Sequence, residues 1–204
     1  MSGLLAGKSA AITGGVTGIG KAIALEFLRQ GASVTVNHLD DKPSKENFDL
    51  LRKQVPAEYI TRLQAVAGDI GLRSTGKELV NAAGVGGSII GISSISAHLG
   101  GAQQVHYTPT KAAVLSMMQS QACALGKFGI RCNALLPGTT RTQLAAEDLK
   151  DKGKLEYLER RTPLGRVAEP EDIAGPAVFL ASDLSKFVNG AQILVDGGCS
   201  VSLQ

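Results

Sequence analysis

The stretch that decides the fold is SAAITGGVTGIG, residues 9–20. Its first part, residues 9–13, is a short apolar run of the kind found in buried parallel strands. Glycines follow at once, and then comes KAIALEFLRQG, in which Ile23 and Phe27 fall on one helical face with other apolar residues. The stretch therefore predicts a strand, a glycine turn and a helix in direct succession.

The spacing of the glycines in this turn favours dinucleotide binding. Gly14 allows the tight turn, Gly18 lets the backbone approach a pyrophosphate, and Gly20 lets the helix pack closely on the strand. The N-terminus of the helix would stabilise the phosphates. An ordinary glycine turn can share this spacing, but the flanking strand and helix supply the context that such a site requires. We therefore predict cofactor contacts from Gly14, Thr17, Gly18, Ile19 and Gly20.

Strands and helices alternate along the rest of the chain. Further strands are predicted at residues 33–37, 62–67, 88–93, 131–136 and 191–195, and helices at 41–53, 110–128 and 171–181. This alternation predicts an α/β fold with a doubly wound, Rossmann-like parallel sheet, covered by helices on both faces. No linker or repeat divides the sequence, so residues 1–204 are predicted to form a single dinucleotide-binding domain.

Composition argues against several classes of protein. The formal net charge of +3 is spread along the chain with no basic run, which argues against nucleic-acid binding. No apolar stretch approaches the roughly 20 residues that span a bilayer. The three cysteines and three histidines have no metal-ligand spacing, so we predict no metal site and a reducing, cytoplasmic location. These residues are Cys123, Cys132, Cys199, His38, His98 and His106.

A second constellation, Ser94, Tyr107 and Lys111, points to proton transfer. Tyr107 and Lys111 lie four residues apart near the start of a predicted helix, so both project from one face. Ser94 ends the strand just before them. A phenol, with an ordinary pKa of about 10, is a poor base at neutral pH, but a neighbouring ammonium favours the phenolate. A Tyr–Lys pair alone is more often a solvated helix face; together with the serine and the glycine turn, it predicts proton transfer coupled to hydride transfer.

These motifs together resemble the short-chain dehydrogenase/reductase family. The resemblance runs from residue 4 to the C-terminus through five separated motifs in the right order. The motifs are Thr13-Gly14-(three residues)-Gly18-Ile19-Gly20; Ser94; Tyr107 with Lys111; Asn133 with Pro137-Gly138 and Thr142; and Asp196-Gly197-Gly198. The resemblance implies an NAD(P)-dependent oxidoreductase that assembles as a homodimer or homotetramer.

The same resemblance implies a role for each matched residue. Tyr107 would be the general acid/base, Lys111 would lower its pKa and bind the nicotinamide ribose, and Ser94 would orient the substrate oxygen. The remaining cofactor contacts fall into three groups by implied position. Asp69 and Ile70 would flank the adenine, Asn81 would close a fourth strand against the cofactor, and Pro137, Gly138 and Thr142 would lie beside the nicotinamide.

Four further stretches are similar to fungal sugar 1-dehydrogenases of this family. They are GGSIIGISSISA (86–97), GGAQQVHYTPTKA (100–112), ALGKFGIRCNALLPGT (124–139) and AGPAVFLASDLS (174–185). The similarity implies a small-molecule sugar substrate, an aldose such as L-rhamnose, oxidised at its anomeric carbon to a lactone. Ser94, Tyr107 and Lys111 would serve other carbonyl substrates equally, so a reductase of 3-oxoacyl thioesters stays open as an alternative.

The choice between NAD and NADP depends on the residues that end the second strand. Asn37 and His38 occupy that place and are neutral, while Asp40 and Asp41 follow slightly later. No arginine stands beside them to pair with a 2′-phosphate. We therefore expect NAD, or dual use of NAD and NADP.

Residues 81–90, NAAGVGGSII, interrupt the alternation. By the resemblance, residues 81–84 close a fourth strand and Ser88 begins the next one. Parallel neighbours need a crossover of about a dozen residues or more, and only residues 84–87 intervene. A βαβ unit takes about 30 residues, so we estimate that about 50 residues of the expected pattern are absent between about residues 72 and 86.

Three explanations of this gap stay open. The natural protein is longer and the segment is omitted from this chain, or the segment is deleted, or residues 81–87 are simply a glycine turn and the resemblance fails there. The absent region would carry the fourth catalytic residue of the family, an asparagine, and its usual dimer face. A real deletion would leave a catalytically dead remnant that at best binds nucleotide or a partner subunit.

Overall fold

A computed structural model describes residues 3–83 and 87–202 of the chain. The chain divides into two compact units, Met1–Val85 and Gly86–Gln204. Each unit contains a three-stranded sheet whose strands all run parallel. The Rossmann-like α/β class predicted from the alternation is therefore confirmed, whereas the single domain spanning residues 1–204 stays a prediction.

The first unit is built around its central strand. Its elements are β1 (Ser9–Ile12), α1 (Gly18–Arg29), β2 (Ser33–His38), α2 (Lys42–Gln54), β3 (Leu63–Ala67) and α3 (Arg73–Ala83), and its strand order is β1-β2-β3. Five consecutive residues of β2, Val34 to His38, are buried. Because successive side chains point to opposite faces of a sheet, both faces of β2 are covered.

The second unit is arranged in the same way around β5. Its elements are β4 (Gly87–Ile92), α4 (Tyr107–Leu125), β5 (Ile130–Pro137), α5 (Ala146–Lys150), α6 (Lys152–Arg161), α7 (Pro170–Ala181) and β6 (Gln192–Val195), in strand order β4-β5-β6. Its core joins one face of α4 to one face of β5. Leu115, Met118 and Ala122 of the helix pack with Cys132, Ala134 and Leu136 of the strand.

A glycine in β4 brings the helix α4 close to the sheet. A Cβ atom added to Gly91 would lie 2.7 Å from the Cγ of Met118 and 3.1 Å from a methyl group of Val114. Both distances are shorter than ordinary contacts between carbon atoms. Gly91 therefore sets the separation between β4, which leads to Ser94, and α4, which carries Tyr107 and Lys111.

The prediction that Asn81 ends a strand is wrong. Asn81 lies in the helix α3, with its side chain exposed. Thr75 and Leu79, four residues apart, are the buried positions of this helix, and the segment is rich in Arg, Lys, Glu, Leu and Ala, which favour helices. No strand lies between β3 and β4 in the described residues, so β1 and β4 are edge strands of their sheets.

Other differences concern the boundaries of the helices. The helix α4 begins at Tyr107 rather than at residue 110, so Tyr107 is its first residue. The helices α5 and α6 occupy a segment for which the sequence predicted no regular structure. Within residues 3–83 and 87–202, no helix is both long and apolar enough to cross a membrane.

Candidate active site

The glycine turn after β1 takes the shape that its spacing predicts. Gly14 has a φ of +60°, in the left-handed region that favours glycine. The N–H of Gly15 donates to the carbonyl of Asn37 at 3.2 Å, which ties the turn to the end of β2. A Cβ added to Gly20 would lie 2.3 Å from the carbonyl oxygen of Gly14. Gly20 therefore packs against the glycine turn itself, and its role in cofactor binding stays a prediction.

The N-terminus of α1 is suited to hold an anion. The helix begins at Gly18, and the side chain of its N-cap residue, Thr17, makes no capping hydrogen bond. The first turn carries no acidic residue that would compensate the helix dipole. Since the leading N–H groups of a helix have no partners within it, those of Gly18, Ile19 and Gly20 fit a pyrophosphate group. The residues present thus fit the phosphates of a dinucleotide cofactor.

The two residues that end β2 are engaged inside the first unit. Asn37 is 4% exposed, and its amide nitrogen donates to the carbonyls of Val66 and Gly68, both at 3.0 Å. His38 is also buried, with its Nδ1 2.7 Å from the carbonyl of Leu39. The two hydrogen bonds from Asn37 hold the ends of β2 and β3 together. The contribution of Asn37 and His38 to cofactor choice stays a prediction.

Exposed charges lie just beyond these two residues. Asp40 forms an ion pair of 2.6 Å with Lys45, and the hydrogen bond from Lys45 lowers the pKa of the Asp40 carboxyl. Asp41 is the N-cap of α2 and accepts from the N–H of Ser44 at 2.8 Å. The Asp41 carboxylate is thus bonded to the backbone of α2. The Asp40 carboxylate is instead paired with the flexible side chain of Lys45.

Two of the other predicted cofactor residues line one groove of the first unit. The groove has a volume of about 540 Å³ and lies between the turn after β3 and α3. Ile70 and Asn81 both line it, together with Arg73 and Lys77. Asp69, next to Ile70, is exposed, and its carboxylate accepts from the N–H of Gly71 at 2.8 Å. The structure thus brings Ile70 and Asn81 together although α3 was not expected.

Ser94 follows β4 in the second unit and is the N-cap of a 3₁₀ turn, Ile95–Ala97. Its hydroxyl oxygen accepts from the N–H of Ser96 at 3.1 Å, and the residue is 8% exposed. A serine hydroxyl has one proton to donate, and no acceptor for it is found within the described residues. The hydroxyl is therefore held by its oxygen while its proton is free for a substrate.

Lys111 is held at the same end of β4. Its ammonium donates to the carbonyl of Ile92, the last residue of β4, at 3.0 Å. The same nitrogen lies 5.4 Å from the ring centroid of Tyr107. Burial lowers the pKa of the Lys111 ammonium, and no carboxylate pairs with it in the described ranges. The predicted Tyr–Lys pair is therefore brought together beside the strand that leads to Ser94.

Ser93 completes a reciprocal clamp between β4 and α4. This residue is 2% exposed, and its hydroxyl donates to the carbonyl of Lys111 at 2.8 Å. The backbone of Lys111 thus accepts from the strand, while its ammonium donates back to Ile92. Sequence reasoning missed Ser93, because its role lies in a contact with α4 that no local pattern encodes.

The residues predicted beside the nicotinamide follow the neighbouring strand β5. Ile92 pairs with Leu135 in the parallel register, and the N–H of Ser93 donates to the carbonyl of Leu135 at 2.8 Å. Ser94 and Pro137 therefore lie at the same edge of the sheet, and Gly138 comes next. Thr142 is half-buried and is the N-cap of the following 3₁₀ turn, Gln143–Ala145.

Asn133, matched to the same family loop, serves the fold instead. It is fully buried in β5. Its amide nitrogen donates to the carbonyl of Val188 at 3.0 Å, and its oxygen accepts from the N–H of Ala191 at 2.9 Å. Asn133 therefore fixes the segment that leads into β6.

Comparison with known proteins identifies the family. The family model described as "short chain dehydrogenase" matches residues 8–85, and the one described as "Enoyl-(Acyl carrier protein) reductase" matches residues 70–200. A solved short-chain type dehydrogenase/reductase from Mycobacterium ulcerans superposes with a TM-score of 0.87 at 26% identity, covering 97% of this chain and 91% of that one. The chain belongs to the short-chain dehydrogenase/reductase family.

Two relatives have names that specify a sugar. The chain is 49% identical to an L-rhamnose-1-dehydrogenase of Scheffersomyces stipitis, over the whole of both chains. It is 40% identical to an L-rhamnose 1-dehydrogenase (NAD(P)(+)) of a Sphingomonas species, over 98% of this chain and 99% of that one.

The first of these alignments also shows a difference in length. It extends over 261 positions, which exceeds the 204 residues of this chain by 57. At least that many positions of the alignment hold no residue of this chain. The sequence-based estimate of an absent segment of about this size agrees with the difference, while its placement between residues 72 and 86 stays a prediction.

Proposed function

We propose that the chain is an NAD(P)-dependent dehydrogenase that oxidises an L-rhamnose-like aldose at its anomeric carbon to the lactone. The observation that carries the proposal is the position of the Lys111 ammonium, 5.4 Å from the Tyr107 ring and bonded to the end of β4. The likeness to two L-rhamnose 1-dehydrogenases supports the choice of substrate.

Each of the three side chains has one task in the proton transfer. The hydroxyl of Ser94, already held by Ser96, donates its free proton to the anomeric oxygen of the sugar and so orients it. Tyr107 takes the proton that this oxygen releases. The charge of Lys111 stabilises the phenolate that accepts it. Because Ile92 and Ser93 clamp Lys111, that charge is fixed before the sugar binds.

The glycine turn of the first unit would hold part of the cofactor. Gly14, Thr17, Gly18, Ile19 and Gly20 would hold the pyrophosphate at the N-terminus of α1, where the N–H groups are uncapped. When bound, the oxidised cofactor would supply the hydride acceptor for oxidation at the anomeric carbon. Both NAD and NADP are proposed, because one relative carries NAD(P)(+) in its name. We further expect a cytoplasmic homo-oligomer that acts on a small sugar.

The test is turnover by the chain at its stated length. The protein is purified and its mass is confirmed. Formation of NADH from NAD⁺, or of NADPH from NADP⁺, is then followed with L-rhamnose and with a panel of other aldoses. We expect turnover with L-rhamnose and its loss in Tyr107→Phe. Reduction of a 3-oxoacyl thioester without sugar oxidation would overturn the proposal in favour of a reductase. A folded chain that neither turns over nor binds NADH would show that it is a catalytically dead remnant.

A further inference from the structure

We propose that Gln104 is a positioning residue that holds the turn bearing Ser94 in register with the start of α4 at Tyr107. The proposal rests on the proposed function, since it concerns the same reaction. Gln104 itself is exposed and lies three residues before Tyr107. It is the one described residue that is bonded to both the turn after β4 and the first turn of α4.

The side chain of Gln104 reaches the turn after β4. The hydroxyl of Ser96 donates to the Oε1 of Gln104 at 2.8 Å. The N–H of the same serine donates to the Oγ of Ser94 at 3.1 Å. Ser96 is 8% exposed, so its rotamer is confined by packing as well as by these bonds. A fixed Ser96 gives Ser94 a fixed hydrogen bond.

The backbone of Gln104 reaches α4. Its carbonyl accepts from the N–H of Tyr107 at 3.0 Å and from the N–H of Thr108 at 2.9 Å. These are two of the leading N–H groups of the helix, which have no partners within it. The carbonyl of Gln104 thus accepts from N–H groups at the start of α4 that would otherwise be unpaired, including that of Tyr107.

Gly101 makes room for this arrangement. The N–H of Gln104 donates to the carbonyl of Gly101 at 2.9 Å. A Cβ added to Gly101 would lie 3.1 Å from the Oε1 of Gln104, tighter than an ordinary contact. The turn from Gly101 to Gln104 is therefore shaped to let the amide point at Ser96.

Gln104 should affect how well the hydroxyl groups of Ser94 and Tyr107 reach the reacting oxygen. Ser94 and Tyr107 must both reach one oxygen of the substrate, and a shift of about 1 Å at such a site costs up to about a hundredfold in rate. Ser94 and Tyr107 are separated by a segment of the chain with no regular secondary structure between residues 98 and 106. Gln104 bridges that segment, so its amide sets the relative position of the two hydroxyl groups.

The test compares two neighbouring glutamines. Gln104→Met removes the acceptor with little change in size. Gln103→Met is the matched control, because Gln103 is exposed and its side chain makes no hydrogen bond to any described residue. We expect the kcat for L-rhamnose to fall about fivefold in Gln104→Met, the loss of one neutral hydrogen bond, with the KM for NAD⁺ unchanged. Gln104→Glu, which keeps an acceptor oxygen, should recover most of the kcat.

Two readouts separate positioning from a merely structural role. With L-rhamnose deuterated at its anomeric carbon, the isotope effect on kcat should rise in Gln104→Met, because misplaced groups slow the chemical step. The combination of Ser96→Ala with Gln104→Met should be no slower than the slower single variant, since both remove the same bond. Multiplying losses, or a wild-type kcat in Gln104→Met, would overturn the proposal.

A measurement without turnover keeps this proposal distinct from the proposed function. Amide hydrogen exchange at Ser96, Tyr107 and Thr108 is compared between wild type, Gln104→Met and Gln103→Met. Faster exchange at these amides in Gln104→Met alone would support positioning even if wild type failed to oxidise any aldose. Unchanged exchange in that inactive protein would overturn it.

Discussion

The ends of β2 and β4 present polar side chains at equivalent places, the carboxyl ends of parallel strands, but they use them differently. At the end of β2, the amide of Asn37 donates to two carbonyls of the neighbouring β3 segment. At the end of β4, within the described part of the chain, the Ser94 hydroxyl proton has no acceptor and the Lys111 ammonium has no carboxylate partner. Polar residues at strand ends therefore divide into those that complete the fold and those left available for a ligand.

The largest expected effect is at the β4 end. Lys111→Met removes the charge beside Tyr107 and the hydrogen bond to Ile92, and it should lower the kcat for L-rhamnose oxidation at least about a hundredfold. Steady-state kinetics at neutral pH measure this. The control is Lys127→Met, an exposed residue of the 3₁₀ turn after α4. If Lys111→Met kept turnover within twofold of wild type, the polar groups at the end of β4 would serve the fold, as those at the end of β2 do, and not the reaction.

The next effect is on stability at the β2 end. Asn37→Ala would leave the carbonyls of Val66 and Gly68 without this donor, and it should lower the free energy of unfolding by about 2 kcal/mol. Urea unfolding measures the loss, and Asn81→Ala, at an exposed helical position, should change it by less than about 0.5 kcal/mol. Unaltered stability together with a changed NAD to NADP ratio would mean that Asn37 contacts cofactor.

Asp196 extends the comparison to the carboxyl end of β6. Burial would by itself raise the pKa of this carboxyl, but hydrogen bonds from Ser200 and from the N–H of Gly198 outweigh it and lower the pKa. Asp196→Asn should therefore lower the free energy of unfolding by about 1 kcal/mol at neutral pH.

The contribution of Asp196 to the free energy of unfolding should depend on pH. The stabilisation by Asp196 is present above the pKa of the unfolded chain and is lost as the pH falls through the lower pKa of the folded chain. The stabilities of wild type and Asp196→Asn should thus begin to converge as the pH falls below about 4 and become equal below the pKa of the folded chain, as followed by unfolding at a series of pH values. A difference that stayed constant into acid would contradict the account of these hydrogen bonds.

The smallest expected effect concerns cofactor choice. Asp40→Asn removes an exposed negative charge just beyond β2 and frees Lys45 from its ion pair. Binding titrations should show the preference moving toward NADP by about twofold to fivefold, since exposed charges interact weakly. Asp49→Asn, an exposed change on the following helix α2, is the control. Equal effects of both changes would exclude a specific role for Asp40.

The sequence predicted most of the fold because its periodicity is strong. Each of the six strands predicted from the alternation was found within two residues of its place, whereas the fourth strand expected before Asn81 was not found. Lys111 lies on α4 and reaches the end of β4 through its hydrogen bond to Ile92. The error at Asn81 has a physical cause. The motif suggested a strand end, but Thr75 and Leu79 have helical spacing, and the periodicity of the residues was the better guide.

The remaining features depend on contacts between distant segments. The clamp from Ser93 to Lys111 and the bonds of Gln104 join residues that no local pattern relates. Asn37 and Asn133 show a second limit of prediction from sequence. A polar residue in a strand gives the same sequence pattern whether its partner is a ligand or a backbone carbonyl. Only the hydrogen bonds of the folded chain separate the two cases.

The central claim is that the free groups at the β4 end carry out the oxidation of a sugar. Its most direct test is Tyr107→Phe, which removes one oxygen atom and keeps the ring. The account predicts that NADH formation from L-rhamnose falls at least about a hundredfold while the unfolding midpoint stays that of wild type. A Tyr107→Phe chain that oxidised L-rhamnose at the wild-type rate would contradict it.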